Sequence, residues 1–409
     1  MTLLKARDPR TGALDYQFEA TSRDDIERTS NRLRAAGQDW QALGMDGRMA
    51  KLGEFSDALG QHHAAIAERL SVDTGRRAIA AREVDGVIGA IFGWLAQAPN
   101  LLPEGWTDGR RNPAIRHAPQ FVPYSLVGVI SPWNFPLTLS MIDTIPALLA
   151  GCTVMIKPSE VTPRFVEPVM AAIKDAGLQD VLTFVQGDGA TGGALIDHVD
   201  AVCFTGSVAT GRKVAAAAAG NMIPAFLELG GKDPIIILES ADLEKATDAA
   251  LRGSVLSTGQ ACQSIERIYV ARSIHDAFLT RLTEKAKSVE LNWPDIGRGH
   301  LGPIIFDKQA DTLQAHIDDA AAKGARIMSG GSVENHGGGR WLLPTILADV
   351  THEMDVMRDE TFGPILPVMA FDSVEDAIAL ANDTEFGLSA AVFAGTLEEA
   401  ETVGRQIEA

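Results

Sequence analysis

The sequence predicts an α/β protein made of two doubly wound units, each with a mainly parallel sheet. Three observations predict it. Short apolar runs rich in β-branched residues alternate with helical segments from about residue 127 onward, the rhythm of parallel sheets covered on both faces. The alternation starts again near Pro234, just after Gly230-Gly231. At 409 residues the chain is also too long for one simple core.

The elements follow in order. Residues 24–98 read as helical, with Leu33, Trp40, Leu43 and Met49, then Leu52, Phe55, Leu59 and Ile66, at spacings that give one buried face. Residues 112–123 read as extended and Pro-punctuated, and 127–130 as a buried strand stopped by Ser131-Pro132. The most apolar stretch, 136–156, contains Asp143 and Pro146, which makes it a poor membrane span. A buried helix leading into a strand at 153–156 fits it better. Then come a helix at 164–176, a strand at 182–185, a short helix at 191–196, a strand at 201–204 and a helix at 208–219. In the second unit, strands are expected at 235–238, 267–270 and 365–370, with a further one starting at 327–328. Its helices are expected at 242–257, 275–289, 311–323 and 374–382, the first capped by Asp242.

Composition excludes several classes. A formal net charge of −18 repels nucleic acid phosphates and anionic lipid, and no basic stripe offsets it. Three cysteines, Cys152, Cys203 and Cys262, are too few for a disulfide framework and fit a reducing, cytoplasmic setting. The N-terminal residues lack the apolar core of a signal peptide. No cluster calls for a metal. Cys152 and Cys203 fall in or beside apolar strands and read as inert core thiols.

Six short stretches stand out. Alone, Cys262 in Gly259-Gln260-Ala261-Cys262 reads as a small buried hydrophobe, and Glu228 in Glu228-Leu229-Gly230-Gly231-Lys232 as a solvated charge. Together they suggest a nucleophile and a base. Asn134, in Pro132-Trp133-Asn134-Phe135-Pro136, follows a strand and can donate to an oxyanion, or simply occupy a turn. Lys157 and Glu160, in Lys157-Pro158-Ser159-Glu160, can grip ribose hydroxyls or lie in a surface loop. Gly206 and Ser207, in Phe204-Thr205-Gly206-Ser207, open a helix whose N-terminus suits a pyrophosphate, although the stretch lacks the GxGxxG pattern. Glu360 and Phe362, in Glu360-Thr361-Phe362-Gly363-Pro364, precede a strand.

Taken in this order, the six stretches resemble the aldehyde dehydrogenase superfamily across nearly the whole chain. The resemblance implies an aldehyde dehydrogenase-like fold, with two Rossmann-like domains plus a small oligomerisation β-element. It assigns 1–104 and 127–230 to an NAD-binding domain, 231–409 to a catalytic domain, and 105–126 to oligomerisation strands of a homodimer or homotetramer. It further implies Cys262 as nucleophile, Asn134 with the Cys262 N–H as oxyanion hole, and Glu228 as the base for deacylation. Lys157 and Glu160 become ligands of the adenosine ribose, Ser207 with Gly206 a pyrophosphate contact, and Trp133 part of the cofactor cleft wall. Glu360 becomes a ligand of the nicotinamide ribose, and Phe362 packs near the nicotinamide. Arg267 matches an arginine near the nucleophile and reads as structural. An ordinary thiol titrates near 8.5, so a dipole or cation is expected beside Cys262 to favour its thiolate.

A carboxylate at Glu160 favours NAD over NADP, with Lys157 partly offsetting its repulsion of a 2′-phosphate. The expected reaction is oxidation of an aldehyde to a carboxylic acid. In the absence of a basic clamp near Asn134 or Cys262, the expected substrate is an apolar aliphatic or aromatic aldehyde. An acylating relative, using coenzyme A or phosphate, and a catalytically silent homologue are the competing readings. The family pattern continues past Ala409 with a strand, a Pro-Phe-Gly-Gly motif and a tail that joins a neighbouring subunit's sheet. None of these is in the sequence; if the tail is absent, the extended segment near 113–124 is expected to lose its partner.

Overall fold

A computed structural model describes residues 2–102 and 105–409, so the boundary expected at residue 104 falls outside the described residues. The chain divides into two units. One holds the N-terminal residues to Ala6 with Tyr16–Leu70 and Ala80–Glu228, and the other Arg7–Asp15, Ser71–Ile79 and Leu229–Ala409.

In the first unit, β1 (Leu3–Ala6) and β2 (Tyr16–Glu19) pair antiparallel. Four helices follow over the stretch expected to be helical: α1 (Arg23–Ala42), α2 (Gly44–Gln61), α3 (His63–Thr74) and α4 (Arg77–Leu101), with the α3–α4 junction at Ser71–Ile79 counted in the second unit. Ser22 caps α1 by accepting the Asp25 N–H at 3.2 Å, a short polar side chain satisfying an orphan donor. Leu33 and Trp40 of α1 and Leu52, Phe55 and Leu59 of α2 are buried as the spacing predicts. Leu43 is not. It lies at the break between α1 and α2 and is exposed, because its position belongs to neither helix's apolar face.

Beyond the short pair β3 (Thr107–Asp108) and β4 (Arg116–His117), the unit turns into a wound sheet. Its elements run β5 (Leu126–Ile130), α5 (Pro136–Met141), α6 (Thr144–Ala150), β6 (Thr153–Lys157), α7 (Val166–Asp175), β7 (Leu182–Phe184), α8 (Gly189–Ile196), β8 (Ala201–Thr205), α9 (Val208–Gly220) and β9 (Ala225–Glu228). The strand order is β7-β6-β5-β8-β9 and every pair is parallel. β5, β6 and β8 are buried along their whole length, as expected of strands covered on both faces. The apolar stretch 136–156 becomes α5, α6 and β6. The edge strand β9 is absent from the sequence reading.

The second unit contains β10 (Asp233–Ile237), α10 (Leu243–Val255), β11 (Ile265–Ala271), α11 (Arg272–Ala286), α12 (Asp307–Ala322), β12 (Arg326–Ser329), β13 (Glu334–His336), β14 (Gly339–Trp341), β15 (Thr345–Ala348), α13 (Asp355–Arg358), β16 (Ile365–Phe371), α14 (Val374–Asn382), β17 (Ala391–Phe393) and α15 (Leu397–Gly404). Its sheet has the order β12-β15-β16-β11-β10-β17, parallel except for the edge strand β12. β13 and β14 form a separate antiparallel pair. Asp242 caps α10 by accepting the Glu244 and Lys245 N–H groups at 3.0 and 3.3 Å. Among the described residues, no helix is long and apolar enough to cross a membrane, and no group of three or more His, Cys, Asp or Glu side chains is placed to hold a metal ion.

Candidate active site

In the first unit, Asn134, Lys157, Ser207 and Glu228 all stand at the carboxyl ends of parallel strands, the edge where wound sheets bind ligands. β5 delivers the first of them. Its exit is fixed by Ser131 and Ser140, whose hydroxyls lie 2.7 Å apart, and by the Leu137 N–H donating to Glu83 Oε1 at 3.1 Å. Asn134 is buried within this turn. Trp133, half-buried, accepts the Thr162 hydroxyl through its carbonyl at 3.3 Å.

Lys157 ends β6, opposite Ile130 of β5. Its stem is buried and its ammonium is already paired with Glu160 at 2.9 Å. The charge of Glu160 is therefore partly neutralised before any ligand arrives. Gly206 donates its N–H to the Glu228 carbonyl at 3.0 Å. Ser207 is the N-cap of α9 and accepts the Thr210 N–H at 3.4 Å. Its hydroxyl is thus committed to the helix, which leaves the helix's exposed first turn as the anion-attracting feature. Glu228 ends the edge strand β9 opposite Thr205, with its side chain exposed.

A second acid stands here that no sequence motif marks. Asp143, at the start of α6, is pushed above the usual carboxylate range by burial first, and then by the negative charge of Glu228. The interruption of an apolar run by one Asp was its only sequence signal.

In the second unit the candidates gather at the opposite edge, before the strands. Gly231 and Lys232 precede β10, Cys262 precedes β11, and Glu360 to Pro364 precede β16. The loop leading to Cys262 carries three successive left-handed residues, Ser257, Thr258 and Gly259, with φ of 60°, 61° and 66°. It is pinned at each step. Arg76 bonds Ser257, the Thr258 hydroxyl donates to the Gly302 carbonyl at 3.2 Å, and Gln260 bonds the Pro303 carbonyl and the Ile305 N–H at 3.2 and 2.9 Å. Gly259 is required twice over. Besides its positive φ, a Cβ there would lie 2.4 Å from the Gly363 carbonyl carbon.

Cys262 is a free, half-buried thiol, whereas Cys152 and Cys203 are buried. Burial pushes the latter two up to about 11 and about 12, in keeping with inert core thiols. Cys262 is also pushed above the ordinary thiol value, by burial first, although backbone N–H groups of Cys262 and Gln263 act to lower it. A cation or dipole is expected beside Cys262 to favour the thiolate. The dipoles are there, but the charges that reach the sulfur are the carboxylates of Glu360 and Asp233, and both raise it.

Glu360 is itself pushed up to about 7, by burial and then by Glu266. It accepts the Gly231 N–H at 3.3 Å. It presses so close to Gly230 that a Cβ there would stand 2.6 Å from its carboxylate. Phe362 has φ of 52°, and its N–H donates to Glu266 at 2.7 Å. Arg267 is fully buried and spends its guanidinium on the carbonyls of Lys232, Leu380 and Ala381, a structural employment.

A sequence profile described as the aldehyde dehydrogenase family matches residues 2–409. A provisionally named succinate-semialdehyde dehydrogenase [NADP(+)] of Mycolicibacterium smegmatis is 37% identical over 390 residues, covering 94% of this chain and 75% of the relative. The structure of a provisionally named aldehyde dehydrogenase from Anabaena variabilis is similar with a TM-score of 0.98 and 52% identity, over 100% of this chain and 87% of that one. Betaine aldehyde dehydrogenase from Staphylococcus aureus, solved in complex with NAD+, is similar with a TM-score of 0.92 and 28% identity, over 99% and 82%.

Proposed function

Because the chain belongs to the aldehyde dehydrogenase family, we propose that it oxidises an aldehyde to a carboxylic acid with NAD+, through a thioester on Cys262. The observation that carries this reading is the state of the three thiols: Cys262 alone is half-exposed, on a loop pinned by Arg76, Thr258 and Gln260.

The Cys262 thiolate adds to the aldehyde carbon and forms a thiohemiacetal whose oxygen carries the charge. The Asn134 amide and the Cys262 N–H are assigned to that oxygen, and such a donor is worth about 10²–10³ in rate. The bound cofactor supplies a hydride acceptor for the carbon held on Cys262. The resulting thioester is opened by water. Glu228 takes the water's proton, the C–S bond breaks, and the carboxylic acid leaves with the thiolate restored. Burial acts against the Cys262 thiolate, while the backbone N–H groups of Cys262 and Gln263 act in its favour.

For the cofactor, Lys157 and Glu160 are assigned to the adenosine ribose, Gly206, Ser207 and the first turn of α9 to the pyrophosphate, and Trp133 to the cleft wall. Glu360 and Phe362 are assigned to the nicotinamide end. The pyrophosphate assignment is supported by the exposed start of α9. The Lys157–Glu160 pair favours NAD and leaves NADP accessible.

The substrate is assigned as an apolar aliphatic or aromatic aldehyde. The acids beside the proposed catalytic groups, Asp143 by Glu228 and Glu360 with Asp233 by Cys262, argue against an anionic substrate. Acidic surroundings disfavour an anionic aldehyde such as a semialdehyde of a dicarboxylic acid. We further assign a reducing, cytoplasmic setting, supported by the three free cysteines, and a homodimer or homotetramer.

Incubation with NAD+ and an aldehyde panel is expected to form NADH and, on quenching, an acyl adduct on Cys262 in the mass spectrum. Cys262→Ala is expected to abolish both, and substantial NADH formation by that variant would refute the reading. Turnover that stays negligible until coenzyme A is added would favour the acylating alternative.

A further inference from the structure

We propose that the buried Lys232–Glu266 pair is a positioning device that holds the turn from Asp359 to Gly363. The consequence for the nicotinamide half of the cofactor rests on the function proposed above.

The two side chains are essentially sealed from solvent, with 0% and 3% exposure, and their charged atoms lie 2.8 Å apart. A buried pair of this kind is poor evidence of a contribution to stability, since a well-packed apolar pair often serves as well. What distinguishes this pair is where its remaining hydrogen bonds go. Lys232 Nζ also reaches the Thr361 hydroxyl at 2.8 Å. Glu266 Oε2 accepts the Thr361 N–H and Oε1 accepts the Phe362 N–H, each at 2.7 Å. Two successive backbone N–H groups thus converge on one carboxylate, the arrangement by which backbone turns hold anions.

The turn needs holding. Phe362 sits at φ of 52°, a conformation unfavourable for a bulky residue. Next to it, the Glu360 carboxylate is fixed against Gly230 and the Gly231 N–H. Lys232 follows those glycines directly, and Glu266 lies four residues after Cys262. One ion pair therefore joins the loops that precede β10 and β16 to the start of β11, four residues beyond Cys262. Neither residue touches the proposed substrate carbon. Both act through Glu360 and Phe362.

The test uses the full chain, Lys232→Met, Glu266→Gln and the double variant. Three readouts are taken: thermal unfolding, NADH binding by fluorescence, and hydrogen exchange of the peptide containing Thr361 and Phe362. Each single change leaves a buried group without its partner and is expected to lower Tm. The double variant removes both charges and is expected to recover most of that loss. Positioning predicts that its NADH dissociation constant nevertheless stays about 10-fold weaker, the size of one lost charge-assisted hydrogen bond. It also predicts exchange at Thr361–Phe362 about 10-fold faster.

Recovery of parental exchange and NADH affinity along with Tm would overturn the proposal, because the pair would then be only a core contact. Unchanged NADH affinity and exchange in the single variants would do the same. Should the charge variants fail to fold, Thr361→Val keeps both charges and removes only the hydroxyl. About threefold weaker NADH binding and faster exchange would then support the clamp, and parental values would overturn it. A parent chain that fails to bind NADH would sink the proposed function, while exchange at the turn would still decide the clamp.

Discussion

Replacing Gly259 by Ala adds one methyl group three residues before the proposed nucleophile, and the structure lets its effect be worked out. At φ of 66° an Ala pays the left-handed penalty of roughly 1–2 kcal/mol. Its Cβ would also lie 2.4 Å from the Gly363 carbonyl carbon, 2.5 Å from the Gly363 oxygen and 2.7 Å from the Pro364 nitrogen. All three are backbone atoms, so no side chain can swing aside. Ordinary contact starts at 3.4 Å, and 3.4 less 2.4 leaves 1.0 Å of separation to be found. Either the Cys262 loop or the Glu360–Pro364 turn must move by that amount. Misplacement of a reacting group by about 1 Å costs on the order of 100-fold in rate. The expected result is a Tm several degrees lower, with kcat/KM reduced about 100-fold. Gly53→Ala is the control. That glycine lies inside α2 with nothing within 4 Å of a built Cβ, so Ala there is expected to leave activity unchanged and to raise stability by about 0.5–1 kcal/mol. A Gly259→Ala enzyme with kcat/KM within about twofold of the parent and an unshifted Tm would refute the reasoning.

Glu360→Gln is expected to do two things. Because the folded carboxyl is raised from 4.5 to about 7, its protonated form is favoured by folding. That contribution is fully present below the unfolded value and is lost as pH rises through about 7. Gln mimics the protonated acid, so Tm should rise relative to the parent at pH 8 and stay level near pH 4, with a ceiling of ~3 kcal/mol at ~1.4 kcal/mol per pH unit. Removing the Glu360 charge should also move the pH profile of Cys262 alkylation to lower pH, and an unmoved profile would count against the coupling. Glu228→Gln is expected to leave a first burst of NADH and suppress steady-state turnover about 100-fold or more, with an acyl adduct accumulating on Cys262; loss of the burst itself would reassign Glu228. Glu160→Gln is expected to shift the NADP-to-NAD ratio of kcat/KM upward by about 10-fold, since Lys157 then faces a 2′-phosphate without its partner; an unchanged ratio would place cofactor choice elsewhere.

The parts of the fold that were legible are the ones whose sequence repeats a local physical rule. Val127 to Ile130 and Thr153 to Ile156 are continuous apolar runs because both faces of those strands are covered. Asp242 announces α10 because a cap acts within three residues. What stayed hidden depends on partners far along the chain. β9 is an edge strand of four residues with alternate side chains exposed, Phe226 among them, so no apolar run marks it. β17 has only three residues. In the candidate site, Cys262, Asn134 and Glu228 were readable as ordered motifs, but the electrostatics of the thiol were not. The carboxylates that raise Cys262 come from positions 233 and 360, and the partner of Lys232 lies 34 residues away. No local spacing encodes either arrangement.

In the second unit, Gly231, Cys262 and Glu360 lead into their strands. The connections that leave those strands therefore lie at the far edge of the sheet, remote from the thiol. After β10 these are residues 238–242, and after β16 they are 372–373, where Glu239, Ser240 and Asp372 are exposed. They form a natural port for engineering. A fluorophore-bearing peptide or a surface-attachment tag inserted after Asp372 would meet open solvent, and the enzyme could be tethered by that face with its thiol left clear.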